Sequence, residues 1–240
     1  MNWWEGNFLA FDLETTGTDL EEARIVTAST ALVHADNTVG DVIELLINPG
    51  VDIPQEASAV HGVTTEMARE AGLSPEFALT GIVHTLATAL STNLPVVAFN
   101  ARFDLTVLDR DCRRHGVTTL SELTYGLVTP ILDPFVLDKA VDKYRKGKRT
   151  LGVMSELYGV ELLNAHNAVA DAVAAAQITR AILRQYEGLR LPLDQLQRAQ
   201  ELWARQQAVS LERYFRQKNG DASITLDKEW PLVPFQEALV

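Results

Sequence analysis

Runs of apolar, β-favouring residues alternate along the chain with segments of helical periodicity. The apolar runs fall at 7–14, 24–33, 41–48, 95–99 and about 128–134, and turn-forming sequence separates the first three. Helical periodicity falls at about 75–91, 102–115, 134–145, 150–158 and 168–186. Strands that alternate with helices are typical of an α/β domain, and the first three runs indicate a meander.

A boundary is predicted at 187–194, where Gly188 and Pro192 interrupt helical sequence. Beyond it, a strongly helical segment ends at Gly220, a residue type suited to a C-cap, and an extended tail or short strand follows. We therefore expect a core domain at 1–186 and a helical extension with a tail at 187–240. Two alternatives stay open for the extension: packing on the core, or docking to a partner.

Composition narrows the class of protein. The 240 residues are 47% hydrophobic, which is enough for one sizeable core. No run of 18 apolar residues appears, so we expect no membrane span, and the pattern of a secretory signal is not visible. Cys112 is the only cysteine, which excludes an internal disulfide and favours the reducing cytoplasm as the location.

The net charge of −11 is unevenly distributed. Residues 1–100 contain 2 basic and 14 acidic side chains, whereas 101–240 contain 19 basic and 18 acidic ones. An acidic protein is a poor non-specific binder of nucleic acid, because phosphate binding depends on basic side chains. An enzyme whose acids are bridged to phosphate by metal cations is not excluded.

The first apolar run ends in the sequence FDLETTG, which places two carboxylates at the end of a buried strand. Side chains alternate along a strand, so Asp12 and Glu14 point to the same face. One reading is that both simply leave the sheet into solvent. The other is a site for a hard cation, since Mg²⁺ and Mn²⁺ prefer carboxylate oxygen.

A second polar group follows the strand predicted at 95–99. Asn100 comes directly after it, and Asp104 falls in the first turn of the next helix. Helix capping by the asparagine and a favourable dipole interaction of the aspartate explain both residues without any chemistry. They do not explain why a second strand of the same sheet is also followed by an acid.

A third polar group lies in the sequence HNAVADA. His166 and Asp171 are five residues apart, about 140° around an ideal helix, and therefore do not share one helical face. If Asn167 caps the helix, the aspartate lies within it and the histidine on the preceding loop. A solvated surface histidine is the alternative to a functional one.

The three groups together resemble the DnaQ-like 3′–5′ exonucleases, which include the proofreading epsilon subunit of bacterial DNA polymerase III and RNase T. FDLETTG, NARFD and HNAVADA match the three motifs of that family in order and spacing, and the resemblance covers about residues 7–185. The chain resembles the branch with a histidine. In the tyrosine branch, Tyr158 would need an acid at position 162, which is Leu162.

The resemblance implies a ribonuclease H-like α/β fold, a central mixed five-stranded sheet flanked by helices. It also implies a site for two Mg²⁺ or Mn²⁺ ions in which Asp12 bridges the pair. Glu14 and Asp171 would hold one ion and Asp104 would support the other, so that all four acids are metal ligands and catalytic residues. His166 is the candidate general base, because an imidazole titrates near pH 6.5 and accepts a proton from water at neutral pH.

Six further residues are candidates for substrate binding. Thr15 and Thr16 would contact the terminal 3′-OH, and the other candidates, at or near the terminal nucleotide, are Val60, His61, Asn100 and Phe103. Turn formation and core packing are the alternative roles for these side chains. The basic run at 143–149 is a candidate for phosphate contact.

The expected function is a metal-dependent 3′–5′ exonuclease that releases 5′-mononucleotides from single-stranded or frayed DNA ends, in proofreading or repair. Thr15 stands where oligoribonucleases of the family carry methionine, which favours DNA. An RNase T-like enzyme that trims RNA is one alternative, and a non-catalytic scaffold of a replication complex is another. Nucleic acid is the expected partner, and the extension is a candidate contact for a DNA polymerase.

Overall fold

A computed structural model describes residues 2–162 and 167–236, and its strands form one mixed sheet. The strands are β1 (Phe8–Thr15), β2 (Ile25–Val33), β3 (Val39–Leu46), β4 (Val96–Val97) and β5 (Ile131–Leu132), in the order β3-β2-β1-β4-β5. The pairs β1–β2 and β2–β3 are antiparallel, whereas β1–β4 and β4–β5 are parallel. The predicted meander and the predicted five-stranded mixed sheet are confirmed.

Helices cover the sheet and extend beyond it. They are α1 (Gln55–His61), α2 (Thr65–Ala71), α3 (Pro75–Ser91), α4 (Ala101–Arg114), α5 (Leu120–Leu123), α6 (Pro134–Val141), α7 (Leu151–Tyr158), α8 (Ala168–Gln185) and α9 (Leu193–Asn219). Short 3₁₀ helices cover Trp3–Glu5 and Glu187–Leu189. Within the described part of the chain, no helix combines the length and apolar character that a membrane crossing requires.

Strand β1 lies at the centre of the sheet and separates two hydrophobic cores. Phe8 and Ala10 face a core that contains the buried side of α8, whereas Leu9 and Phe11 face a core that contains α3 and α4. Because side chains alternate, Asp12 continues the face of Phe8 and Ala10 toward α8.

The predicted long helices are present with boundaries shifted by at most four residues, and the largest shift is at α6. The helix predicted at 134–145 ends at Val141. The chain then turns back, so that Arg145 and Arg149 both contact the carboxylate of Asp138, which is fully buried. The sequence pattern did not predict α1, α2 and α5, which are too short for a clear period.

Helix α9 packs against the edge strand β5 through amide side chains. The backbone N–H of Ile131 donates to Gln197 Oε1 at 2.9 Å, and that of Asp133 donates to Gln200 Oε1 at 2.9 Å. Gln200 Nε2 in turn donates to the carbonyl of Ile131 at 2.9 Å. These bonds satisfy backbone N–H and C=O groups that an edge strand otherwise leaves without a hydrogen-bond partner. The extension therefore packs on the sheet, and the domain division at residue 186 stays a prediction.

The helix predicted to end at Gly220 is confirmed, since α9 ends at Asn219 and Gly220 has a left-handed backbone with φ 65°. The tail that follows is irregular through residue 236, with a turn and a bend and no strand, and it returns to the core. Trp230 and Val233 in it are buried, and the N–H of Val233 donates to Thr106 Oγ1 on α4 at 2.9 Å.

Candidate active site

Asp12 and Glu14 lie at the carboxyl end of β1, on its α8 face. In the register with β2, Asp12 pairs with Ser29 and Glu14 pairs with Thr27. A bulge follows immediately, between Glu14 and Thr15. Both carboxylates are partly buried rather than turned out into water, so the solvated alternative for this pair is wrong.

Asp104 meets these acids from the neighbouring helix. It lies in the first turn of α4 and is only 4% exposed. Its Oδ1 accepts a hydrogen bond of 3.2 Å from the backbone N–H of Leu13, the residue between the two β1 acids. This bond joins the start of α4 to the end of β1, across 91 positions of sequence.

Asp171 approaches from the opposite helix. It lies in the first turn of α8, which packs against β1. The predicted cap of that helix is confirmed, because Asn167 Oδ1 accepts a hydrogen bond of 3.0 Å from the N–H of Ala170. His166, the candidate base, lies outside the described residues.

The pKa values show that the four carboxylates act on each other. Burial raises the pKa of Asp12 well above its usual range, and the charges of Asp104, Glu14 and Asp171 raise it further. Burial, then the charge of Asp171, raises the pKa of Glu14 to about 7. The pKa of Asp104 is also raised, again chiefly by burial. The structure therefore brings the four predicted acids together.

The donor chemistry of this group fits a hard divalent cation. All the contributing atoms are carboxylate oxygens, the ligands that Mg²⁺ and Mn²⁺ prefer. A cation between these acids would offset the repulsion and burial that raise their pKa values. Among residues 2–162 and 167–236, however, no group of three or more His, Cys, Asp or Glu side chains is already arranged to hold a metal ion. The acids are neighbours but not a preformed ligand set.

A fifth acid, Asp133, supports the site and was missed in the sequence. Its carboxylate accepts hydrogen bonds of 3.0 Å from the N–H groups of Asn100 and Ala101, at the start of α4. It also caps α6 and accepts a bond of 3.3 Å from Trp230 Nε1 in the tail. Burial raises its pKa to about 6. An acid before proline at the end of a parallel strand was the available signal.

Asn100 does not cap α4 with its side chain. It occupies the N-cap position with a left-handed backbone, φ 61° and ψ 47°, and makes no side-chain cap bond. Asp133 performs that role instead. The amide of Asn100 is thereby left exposed beside the acids, which is compatible with the predicted contact to substrate.

The other substrate candidates lie on two sides of the β1 end. Thr15 Oγ1 donates to the Gly17 carbonyl at 2.7 Å, and Thr16 Oγ1 accepts from the N–H of Arg24 at 3.0 Å, so both hydroxyls hold the turn. His61 ends α1 near Thr15, and burial lowers its pKa more than the contact with the Thr15 backbone raises it.

Val60 and Phe103 differ in their environments. Val60 is 51% exposed on α1, which leaves it accessible to a ligand. Phe103 packs partly against the core beneath α4. Contact of these six residues with substrate stays a prediction.

Tyr158 and the arginines of the basic run are used elsewhere in the structure. Tyr158 OH donates to Asp138 Oδ1 at 2.8 Å, and Arg145 and Arg149 occupy Oδ2 of the same carboxylate. The lysines of the run remain exposed, as at Lys143. The phosphate contact predicted for 143–149 is thus limited to the lysines.

Comparison with known proteins identifies the family. A family model described as "Exonuclease" matches residues 9–179, which include the ends of β1 and β4 and the start of α8. The chain belongs to the DnaQ-like exonuclease family. An epsilon-like protein of DNA polymerase III from Rhodobacter capsulatus is 32% identical over 178 residues, 71% of this chain and 23% of that protein. A PolC-type DNA polymerase III from Caldanaerobacter subterraneus is 26% identical over 76% of this chain and 12% of that protein.

Solved structures of exonucleases share the fold. Exonuclease I of E. coli, in complex with a dA16 oligonucleotide, aligns with a TM-score of 0.65 at 20% identity, over 83% of this chain and 44% of the other. Exonuclease X, in complex with 5′ overhanging duplex DNA, aligns with a TM-score of 0.55 at 16% identity, over 81% and 98% of the two chains. The predicted ribonuclease H-like fold is confirmed. The chain spans less than a quarter of the length of either polymerase relative.

Proposed function

We propose that this chain is a metal-dependent 3′–5′ exonuclease that releases 5′-mononucleotides from single-stranded or frayed DNA ends. The observation that carries the proposal is the meeting of Asp12, Glu14, Asp104 and Asp171 from one strand and two helices. Holding four ionisable acids together against burial and mutual repulsion destabilises the folded state, unless a cation occupies the site. Membership of the exonuclease family supports hydrolysis of a phosphodiester as the reaction.

In this proposal the four carboxylates would hold two divalent ions. When bound, such ions would supply positive charge for the activation of water and for the charge that develops on the phosphate oxygens. Asp104 is oriented by its bond to the Leu13 N–H, and its helix is held by Asp133. His166, which precedes Asn167 in the sequence, would accept a proton from the attacking water.

DNA is the proposed substrate, because exonuclease I, which shares this fold, has been crystallised in complex with a dA16 oligonucleotide. The epsilon-like and PolC-type relatives support a DNA polymerase as a partner in proofreading. RNA trimming stays the second candidate, and a reducing cytoplasm stays the proposed location. The acids argue against a scaffold without activity, since such a protein has no need to gather them.

A cleavage assay tests the proposal directly. Oligonucleotides labelled at the 3′ or the 5′ end, as single-stranded DNA, duplex DNA and RNA, are incubated with Mg²⁺, Mn²⁺ or EDTA. We expect stepwise shortening of 5′-labelled single-stranded DNA and immediate loss of the 3′ label as a mononucleotide, with no product in EDTA. Products of internal cleavage, or equal activity in EDTA, would contradict the proposal.

The assignment of the base is tested with two matched variants. His166→Ala should lower kcat about a hundredfold or more, because a positioned base contributes at least that factor, while metal binding stays close to that of the native chain. Tyr158→Phe should leave kcat within about twofold, since its hydroxyl is used by Asp138, and it loses one hydrogen bond worth about 1 kcal/mol of stability. Near-normal turnover of His166→Ala would end its assignment.

A further inference from the structure

A groove runs between α6 and α9 and begins at the start of α4, the helix that carries Asp104. It consists of two adjoining hollows of about 560 and 180 Å³, and Lys139 and Gln207 line both of them. Asn100 and Asp133, at the carboxyl ends of β4 and β5, line the smaller hollow. The groove, here called the α6–α9 groove, therefore starts beside the helix that carries Asp104 and leads away along α9.

The larger hollow of the groove is lined by two lysines and, among the described residues, by no acid. Lys139 and Lys143 line the larger hollow, and in the described part of the chain neither ammonium group has a carboxylate within 4.0 Å. Arg102 lines the smaller hollow and donates to the neutral carbonyl of Asp227 at 2.6 Å, and no ion pair of Arg102 is found among the described residues. Glu229 lies there too, but its carboxylate is paired with an arginine at 2.9 Å. The larger hollow is thus cationic in an acidic protein, whereas the smaller one also contains Asp133, which interacts with Lys139.

Aromatic rings stand beside these cations with much of their surface in water. Tyr144 is 87% exposed and Tyr214 is 52% exposed, and both line the larger hollow. Lys143 Nζ lies 5.7 Å from the centre of the Tyr144 ring, and Lys218 Nζ lies 5.7 Å from that of Tyr214. Exposed rings cost hydration free energy unless a ligand covers them, and bases stack on such rings whatever their sequence.

We propose that the α6–α9 groove binds the single-stranded nucleic acid that leads to the 3′ end in the active site. Lys139 and Lys143 contact its phosphates, and Tyr144 and Tyr214 stack on its bases. Cations beside exposed rings, in a groove that starts at the helix carrying Asp104, are the combination that single strands require. The proposal rests on the proposed function, and it assigns α9 to substrate binding.

Binding measured without hydrolysis separates the two proposals. The anisotropy of 5′-labelled 16-nucleotide DNA and RNA is measured with the full chain in EDTA, where cleavage is excluded and the acids do not hold the 3′ end. Tyr214→Ala should weaken binding about tenfold through loss of stacking. Lys143→Gln should reduce the slope of log K against log salt by about 0.7, the value for one phosphate contact.

The matched controls remove the same groups outside the groove. Tyr125→Ala removes a ring that is 93% exposed, and Arg184→Gln removes an exposed cation near the far end of α8. Both should bind the 16-mer like the native chain, and urea midpoints should show that all four variants are folded. With Mg²⁺, Tyr214→Ala should lower kcat/KM about tenfold on the 16-mer and less than twofold on a dinucleotide, which is too short to reach the groove.

The outcomes are distinguishable. If the groove variants lose binding and the control variants do not, the inference is supported, whether or not any strand is cleaved. A preference for DNA or RNA then identifies the substrate. Equal binding by groove and control variants overturns it, as does equal loss on the dinucleotide. Absence of binding by the native chain, or preferential binding of an acidic peptide, also overturns it, even if the cleavage assay succeeds.

Discussion

The carboxylates of Asp138 and Asp12 are both withdrawn from water, but the side chains around them carry opposite charges. Asp138 is 0% exposed, and its carboxylate is surrounded by the guanidinium groups of Arg145 and Arg149 and by the hydroxyl of Tyr158. Asp12 is surrounded by other acids, and each contribution to its pKa, from burial and from three carboxylates, raises it. Asp138 is thus compensated by side chains of the protein, whereas the described neighbours that shift the pKa of Asp12 are acids.

This difference separates a structural acid from a functional one. Burying a charge is costly unless it is paired, so an acid with its own donors holds the fold together. An acid whose neighbours are acids destabilises the fold until a cation arrives. Asp133 is intermediate between a structural and a functional acid. Backbone N–H groups donate hydrogen bonds to its carboxylate, and burial still raises its pKa to about 6. It positions α4, and its partners are all part of the protein.

The largest expected effect comes from Asp12→Asn. Exonuclease activity in Mg²⁺ should fall about a thousandfold, because the proposed metal contribution is worth several kcal/mol. In EDTA the variant should be more stable than the native chain, since the amide carries no charge for the other acids to repel. The native chain should gain about 2–3 kcal/mol at a hundredfold excess of Mg²⁺ over Kd, and the variant should lose this gain.

Thermal unfolding with and without Mg²⁺ measures both effects on stability. Asp41→Asn, which removes an exposed acid from β3, is the control and should behave like the native chain. A full Mg²⁺ response in Asp12→Asn would show that the ion binds elsewhere, and the contrast with Asp138 would fail.

Asp138→Asn should show the opposite pattern. The substitution leaves two buried guanidinium groups without their carboxylate, and the loss of one partner of a buried pair costs about 3 kcal/mol or more. The free energy of unfolding, measured in urea, should fall by that amount, while the stabilisation by Mg²⁺ is unchanged. A stabilising Asp138→Asn, or one that abolishes the Mg²⁺ response, would remove the distinction between the two groups.

The smallest effect is a dependence of stability on pH in EDTA. The pKa of Glu14 rises from 4.5 to about 7 on folding, so between these values the folded state binds more protons than the unfolded one. The contribution of Glu14 to stability is therefore greatest below about pH 4.5 and falls as pH rises toward 7, by about 1–2 kcal/mol after solvent screening of this partly exposed group.

Urea midpoints from pH 5 to 8 compare the native chain with Glu14→Gln. Glu14→Gln should lose the part of the fall in stability with pH that Glu14 contributes. Saturating Mg²⁺ should abolish the same part in the native chain, because the cation favours the ionised carboxylate. A slope that is identical in the two proteins would show that Glu14 is not held among the other acids.

The sequence predicted the elements that depend on local pattern. The five strands and the long helices have periods that a short window detects, and alternation alone placed Asp12 and Glu14 on one face. Asp104 and Asp171 were found because acids in the first turn of a helix are visible in sequence. The family motifs connected the four, and the structure brings them together.

Tertiary contacts decided the rest, because they join positions that no local period relates. Asp133 caps α4 from 33 residues away and binds Trp230 across 97. The contacts of Asp138 with two arginines and a tyrosine, and the packing of α9 on β5, likewise follow from the packing of separate segments. The α6–α9 groove exists only because α9 returns to the sheet, which brings Tyr214 beside the segment that holds Lys139, Lys143 and Tyr144. Residue type set the chemistry available at each position, and the packing determined which charges are compensated and which await a ligand.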